Sequence, residues 1–173
     1  MRGLRQFADG IDGLNDRVGR TAAWLTLPVI ALLFLQVPLR EYVHYGHIAA
    51  NDIGQIIHAT LFMTGASYAM RWDGHVRVDI FYQRMSARSR AWVDLLGTLL
   101  LAMPWIAVLG WYSLPIAIRS WRVYEQFAET YTPGYFLLKT QLLVFVVLVG
   151  LQALATVARA ILRLAASREP TSA

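Results

Sequence analysis

Residues 140–158, TQLLVFVVLVGLQALATVA, form a stretch of the chain without a single charged side chain. A helix needs about 20 apolar residues to cross a hydrocarbon core of about 30 Å. Three further windows of similar length also lack Asp, Glu, Lys and Arg: residues 21–39, 53–70 and 95–118. Backbone groups in lipid must hydrogen-bond within their own segment, so each window is expected to be helical. The pattern predicts an all-α integral membrane protein with four transmembrane helices.

The rest of the sequence is expected to form short surface segments around this membrane domain of residues 21–163. The four spans are expected at about residues 21–43, 51–71, 91–118 and 135–162. Residues 1–20 contain apolar side chains at helical spacing, which predicts an amphipathic helix that lies in the interface or packs on a partner. The predicted apolar face consists of Leu4, Phe7, Ile11, Leu14 and Val18. A second short surface helix is expected over residues 119–129. Residues 164–173 are expected to form a tail.

Composition restricts the function further. Hydrophobic residues make up 57% of the 173-residue chain and charged residues only 16%, whereas soluble domains carry about 25% charged residues. There is no cysteine, which excludes disulfides, thiolate chemistry, iron–sulfur clusters and Cys-bound zinc. The net charge of +5 reports membrane topology in such a protein, so lipids are expected partners and nucleic acid is not.

The distribution of basic residues predicts the orientation of the chain. Twelve of the 16 Lys and Arg residues fall in three segments on one side of the four-span path, within residues 1–20, 71–90 and 159–168. Cytoplasmic segments are enriched in Lys and Arg. We therefore expect a multi-pass protein of a bacterial inner membrane with both termini in the cytoplasm.

The membrane interior lacks the groups that an active centre needs. An ion-coupled pump usually keeps an ionisable side chain near the middle of the bilayer, but the central turns of the four windows contain no carboxylate, Lys or Arg. Neither a nucleophile–base pair nor a phosphate-binding loop occurs. We expect no catalytic activity, no metal and no cofactor.

His58 lies inside the second window and has two interpretations. A haem held between helices needs two facing imidazoles at similar depth, and the other three windows contain no histidine. A partner subunit could supply the second ligand, so a haem-carrying or haem-free membrane anchor of a redox complex is the alternative function. The other interpretation is a polar residue at a helix–helix contact.

The most distinctive stretch follows the second window: GASYAMRWDGHVRVDIFYQRMSARSR, residues 65–90. It resembles the small membrane subunit (DctQ type) of tripartite ATP-independent periplasmic (TRAP) transporters, which shows a small-residue helix, then Arg, Gly-His-Val-Arg-Val-Asp and a basic segment. Features further along resemble the branch for mannitol, chloroaromatic compounds and keto acids: Trp111, Pro115, Ser120, Trp121, Glu125 and Lys139. The chain departs from the family pattern around Glu41, at Asp52 and at residues 132–135.

The resemblance implies a non-catalytic subunit of a sodium-coupled, binding-protein-dependent transporter of organic acids. Its partners would be a large multi-span (DctM-type) permease, which it scaffolds, and a periplasmic substrate-binding protein. Residues 74–79 are expected to fix the cytoplasmic end through Arg77 and Asp79. The subunit-interface candidates are His58, Gly65, Arg71, Gly74, His75, Arg77, Asp79 and Lys139. The candidates for docking the binding protein are Arg40, Glu41, Asp52, Arg119, Arg122 and Glu125.

Overall fold

The computed structural model describes residues 1–42, 48–72, 82 and 84–166, and these residues are almost entirely helical. The helices in chain order are α1 (Arg2–Ala23), α2 (Thr26–Tyr42), α3 (Ile48–Arg71), α4 (Ala87–Gly97), α5 (Met103–Arg122) and α6 (Tyr135–Ala166). A π-helical turn, Thr98–Ala102, joins α4 to α5. The prediction of an all-α protein is confirmed for this part of the chain.

Within the described part of the chain, three helical segments are long and apolar enough to cross a membrane. They are Arg2–Leu39, Ala87–Arg122 and Tyr135–Ala166, which include the first, third and fourth predicted windows. Helix α3 corresponds to the second window and has 24 residues. Its first half carries Asn51, Asp52, Gln55 and His58, which lower its hydropathy.

Helices α1 and α2 are almost continuous, and Pro28 explains the break between them. Proline has no backbone N–H, so residue 28 cannot donate to the carbonyl of Trp24. Leu27 N donates to Trp24 O at 3.3 Å instead, and Val29 N donates to Leu25 O at 3.1 Å. The chain therefore makes one turn at residues 24–25 and then resumes its helix.

A second proline explains the π-helical turn between α4 and α5. Pro104 has no N–H for the carbonyl of Leu100, and its ring would clash with that carbonyl in a regular helix. The preceding turn is widened, and Met103 N bonds to Thr98 O, five residues back. π-Bulges of this kind bend a helix without ending it, so Ala87–Arg122 continues as one helical segment.

Helix α6 is the centre of the packing, because it contacts α1, α3, α4 and α5. The contact surface is built from small side chains that are almost fully buried: Ala153, Ala155, Ala158 and Ala160. Small residues let helix backbones approach closely in membrane proteins. Helix α2 packs chiefly against α3 and buries only Val29 among its described side chains.

Helix α1 is amphipathic as expected, but it packs against α3 and α6 of its own chain. Its buried face consists of Ala8, Ile11, Asn15, Gly19 and Ala22. Asp12 pairs with Arg159 and Asn15 with Gln152, so α1 runs antiparallel to α6. Phe7 and Leu14, expected on the apolar face, are exposed. The small and polar positions allow the closer approach, so they face the bundle.

The prediction of a surface helix over residues 119–129 is wrong. Helix α5 continues to Arg122, and residues 123–134 then form turns with an isolated bridge between Gln126 and Pro133. Tyr124 and Tyr131 have φ of 45° and 56°. A residue in this left-handed region cannot continue a right-handed helix, so the segment folds back as a compact loop, here called the 123–134 loop.

The contact between α1 and α3 gives a test at two glycines. A Cβ added to Gly19 would lie 2.5 Å from Tyr68 Cδ2 and 2.6 Å from Tyr68 Cβ, whereas one added to Gly13 would meet nothing within 4 Å. We expect Gly19→Ala to destabilise the protein by about 1–3 kcal/mol through overpacking. Gly13→Ala should be neutral or stabilise by up to about 1 kcal/mol through helix propensity. Thermal melting of both variants in detergent measures this, and equal melting temperatures would contradict the packing of α1.

Candidate functional site

A buried polar network joins α1 to α3 and α6 at one end of the bundle, here called the α1 end. The α1 network consists of Asp12, Asn15, Asp16, Arg71, Gln152 and Arg159. Asn15 and Gln152 have no exposed surface. Asn15 Nδ2 donates to Gln152 Oε1 at 2.6 Å, and Gln152 Nε2 donates to Asp12 Oδ1 at 3.0 Å. The second oxygen of Asp12 forms an ion pair with Arg159.

Arg71, one of the predicted subunit-interface residues, is also part of this network. Its Nη1 lies 2.5 Å from Asp16 Oδ1, and its guanidinium lies 4.9 Å from the centre of the Trp72 ring. The other oxygen of Asp16 lies 2.9 Å from Arg20 Nη2. The structure therefore uses Arg71 to fix α3 to α1 within the chain.

A third carboxylate at the same end is held in a similar way. Tyr82 Oη donates to both oxygens of Asp94 at 2.9 Å. Arg163 Nη1 lies 3.5 Å from Asp94 Oδ2, which links α4 to α6. Asp12, Asp16 and Asp94 thus connect neighbouring helices.

The opposite end of the bundle, here called the loop end, has a second polar cluster that fixes the 123–134 loop. Asp52 is 6% exposed and accepts hydrogen bonds from the hydroxyls of Thr130 and Thr132, both at 2.5 Å. Asp52 therefore ties the start of α3 to the loop. Asp52 is one of the residues predicted to dock the binding protein, and in the structure it is a buried anchor of the loop.

Glu125 and Lys139 form the other half of that cluster. Lys139 Nζ lies 2.5 Å from Glu125 Oε2 and 5.0 Å from the centre of the Tyr135 ring. Ser120 Oγ also donates to Glu125 Oε2, at 2.6 Å. The hydrogen bonds from Lys139 and Ser120 hold the pKa of Glu125 below its ordinary value. These two predicted site residues thus bind each other and fix the loop to α6.

The remaining docking candidates differ from Asp52 and Glu125 in their exposure. Glu41, Arg119 and Arg122 are exposed near the loop end. Arg40 lies within α2, and its side chain is outside the described part of the structure. Of the subunit-interface candidates, residues Gly74, His75, Arg77 and Asp79 lie outside the described residues.

A groove between α2 and α3 contains His58. Its volume is about 170 Å³, and it is lined by Val29, Leu32, Leu33, Gln36, Ala50, Asn51, Gly54, Gln55 and His58. The imidazole is exposed and lies 6.3 Å from the Phe62 ring. Within the described residues His58 is the only histidine, so a haem there would need its second ligand from elsewhere. Gly65, another subunit-interface candidate, has free space beside its Cα, since an added Cβ would meet nothing within 4 Å.

Sequence reasoning missed the buried amides of the α1 network. Asn15 is a polar residue of the predicted amphipathic helix. Gln152 is a polar residue within the apolar window at 140–158. Gln152 could have been recognised from the sequence, because an amide deep in an apolar span needs a polar partner. The sequence did not show that this partner would come from residues 1–20.

The fold and these clusters define a helical membrane protein whose described carboxylates serve mainly to join its own helices. A family model described as "Tripartite ATP-independent periplasmic transporters, DctQ component" matches residues 29–163. The chain therefore belongs to the DctQ family and is a small membrane subunit of a TRAP transporter, as the sequence resemblance indicated. No curated protein matches the chain. No solved structure matches it either.

The Glu125 contacts predict a pH dependence of the 123–134 loop. Because the folded-state pKa of Glu125 lies below its ordinary value of 4.5, the anchoring is complete above pH 4.5 and is lost as the pH falls through the lowered pKa. The chain has no cysteine, so a nitroxide on Ala128→Cys reports loop mobility by electron paramagnetic resonance. We expect an immobile label at neutral pH and a mobile one only below pH 4.5.

The control variants separate Glu125 from other acids of the loop. Glu125→Gln should give a mobile label at every pH, while Glu129→Gln, which changes an exposed residue, should retain the transition of the parent. An immobile label in Glu125→Gln at neutral pH would show that the contacts with Lys139 and Ser120 do not hold the loop.

Proposed function

We propose that this subunit is a non-catalytic scaffold for the large, DctM-type permease in sodium-coupled, binding-protein-dependent uptake of organic acids. One observation carries the proposal. Four carboxylates at the two ends of the bundle, Asp12, Asp16, Asp52 and Asp94, are each bound by side chains of the same chain. Acids that bind a transported ion lie in the span interior and change partners. Acids that fix helices to one another suit a rigid support.

The proposed membrane arrangement has four spans, with α3 as the second. A helix of 24 residues is about 36 Å long, which exceeds the hydrocarbon core of about 30 Å. The excess of Lys and Arg at the α1 end supports a cytoplasmic location for that end and for both termini. The loop end would then face the periplasm.

The groove between α2 and α3 is the proposed contact surface for the large permease. His58 lies ten residues after the start of α3, about 15 Å along the helix and thus near the middle of the bilayer. Neither His58 nor Gln55 has a hydrogen bond to another described residue, and both are exposed. A polar side chain facing lipid costs free energy, and a neighbouring helix with a hydrogen-bonding group removes that cost.

Two glycines allow a matched test of this surface. Gly54 lines the groove and Gly97 ends α4, and a Cβ added to either residue would meet nothing within 4 Å. We expect Gly54→Leu to reduce co-purification of the large permease by tenfold or more, because the new side chain fills the groove. Gly97→Leu should co-purify like the parent, and both variants should have parental melting temperatures.

Uptake by cells and co-purification together test the scaffold role itself. Uptake by cells should stop when either membrane subunit is deleted, and His58→Leu should weaken co-purification in the same direction as Gly54→Leu. The groove is the wrong surface if Gly54→Leu and His58→Leu leave the complex intact. The scaffold proposal itself fails if the purified chain transports substrate alone in liposomes.

The loop end is proposed to meet the periplasmic binding protein. The 123–134 loop is fixed to α3 and α6 through Asp52 and Lys139, and the guanidinium groups of Arg119 and Arg122 are exposed beside it. Exposed charges at the edge of an interface accelerate encounter between proteins and make binding depend on salt. The rigid loop would present these two arginines at a defined position.

Reversing the two charges tests this contact in proteoliposomes with the large permease and binding protein. Arg119→Glu/Arg122→Glu should raise the concentration of binding protein for half-maximal uptake several-fold, with a smaller difference at high salt. The control Arg84→Glu/Arg88→Glu makes the same charge change at exposed positions of the α1 end and should leave that concentration unchanged. Equal behaviour of the two double variants would refute docking at the loop end.

A further inference from the structure

A basic crevice lies at the α1 end, between the start of α1 and the end of α6, and nothing in the scaffold role uses it. Its volume is about 570 Å³, and it is lined by Met1, Arg2, Arg5, Ala8, Asp9, Arg159, Leu162, Arg163 and Ala166. Arginines from α1 and from α6 thus face the same space. Pockets of 300–1,000 Å³ are the usual size for small-molecule sites.

The arginines differ in how they are held. Arg159 forms an ion pair with Asp12, and Arg163, with a side chain 62% exposed, lies 3.5 Å from Asp94. These contacts orient both guanidinium groups. Arg2 and Arg5 are exposed and form no ion pair with another described residue, so they are available to a ligand.

The charge balance indicates the class of ligand. Four arginines line the crevice, and three aspartates lie in it or are paired with its arginines: Asp9, Asp12 and Asp94. Among these seven side chains one positive charge therefore remains, which complements the single negative charge of a phosphodiester. Arginine guanidinium groups bind phosphate oxygens with two parallel hydrogen bonds.

The position along α6 places the crevice at a membrane boundary. No charged residue occurs between Lys139 and Arg159, and the 20 residues that separate them correspond to about 30 Å of helix, the thickness of the hydrocarbon core. Arg159 and Arg163 thus lie at headgroup depth when Lys139 lies at the opposite boundary. Apart from Asp9, the remaining walls are apolar, with Ala8 1% exposed and Leu162 half-buried.

We propose that this crevice binds the headgroup of an anionic phospholipid, with its phosphodiester on Arg2, Arg5 and Arg163 and its upper acyl chains against Leu162 and Ala166. The apolar wall favours a lipid over a free phosphate ion, which has no hydrophobic part to cover it. A bound lipid would bridge α1 and α6 and add to the contacts of the α1 network. Basic pockets between helices at a membrane surface are known to hold such headgroups.

Native mass spectrometry of the full chain in detergent, titrated with phosphatidylglycerol, tests the proposal. We expect one tightly bound phosphatidylglycerol and much weaker binding of phosphatidylcholine. Arg2→Gln/Arg5→Gln should weaken the binding of phosphatidylglycerol about thirty-fold, from about 1 kcal/mol per basic residue near an anionic lipid. Arg84→Gln/Arg88→Gln removes two exposed arginines outside the crevice and should bind like the parent.

A second variant tests the shape of the site while keeping its charges. Ala166→Trp places a large side chain in the crevice and should also reduce the binding of phosphatidylglycerol. The proposal fails if phosphatidylcholine binds equally well, if both arginine double variants lose binding to the same extent, or if Ala166→Trp binds like the parent. Full competition by inorganic phosphate at millimolar concentration would show a site for free phosphate and would also overturn it.

Discussion

The buried amide pair of Asn15 and Gln152 is the contact on which the arrangement of the bundle depends. Each side chain is fully buried, and their hydrogen bond of 2.6 Å joins the N-terminal helix to the central one. A buried polar group without a partner costs free energy, so the two helices must keep one register for the amide N–H groups of both residues to be paired. The ion pairs of Asp12 and Asp16 extend this register to Arg159 and Arg71.

This contact changes the role of the first 23 residues. An amphipathic segment at a chain terminus commonly lies flat at the membrane interface. Here Asp12 and Asp16 form ion pairs with α6 and α3, while Arg2 and Arg5 line the crevice. The small residues Ala8 and Gly19 permit the close contact, so the helix extends α2 and packs lengthwise along the bundle.

The polar groups fall into two sets with different meanings. The carboxylates of the first set, which lie at the two ends of the bundle, are bound within the chain and hold α1 and the 123–134 loop in place: Asp12, Asp16, Asp52, Asp94 and Glu125. The polar groups of the second set, chiefly Gln55 and His58 of the α2–α3 groove, have no hydrogen-bonding partner among the described residues and are exposed on α3. In a transporter subunit of the DctQ family, the first set suits the proposed rigid scaffold, and the second set belongs to the proposed contact surface for the large permease.

The sequence by itself determined the helical class and the membrane location, because a charge-free window of about 20 residues has few other stable structures. It also determined the family, through the residues that follow the second window and the pattern matched over residues 29–163. Pro28 and Pro104 further explain the break before α2 and the π-helical turn before α5, since a missing N–H is a local property.

The partners of the polar side chains were decided only by the tertiary structure. The contacts of Asn15 with Gln152 and of Asp52 with Thr130 span 137 and 78 residues of sequence, and local periodicity carries no information about such pairs. The sequence predicts that Glu125 docks the binding protein and that Lys139 lies at the subunit interface. In the folded chain the two side chains form an ion pair with each other. The same reason explains the 123–134 loop: its aromatic and charged spacing suits a helix, whereas the anchors on Asp52 and Lys139 favour a compact turn.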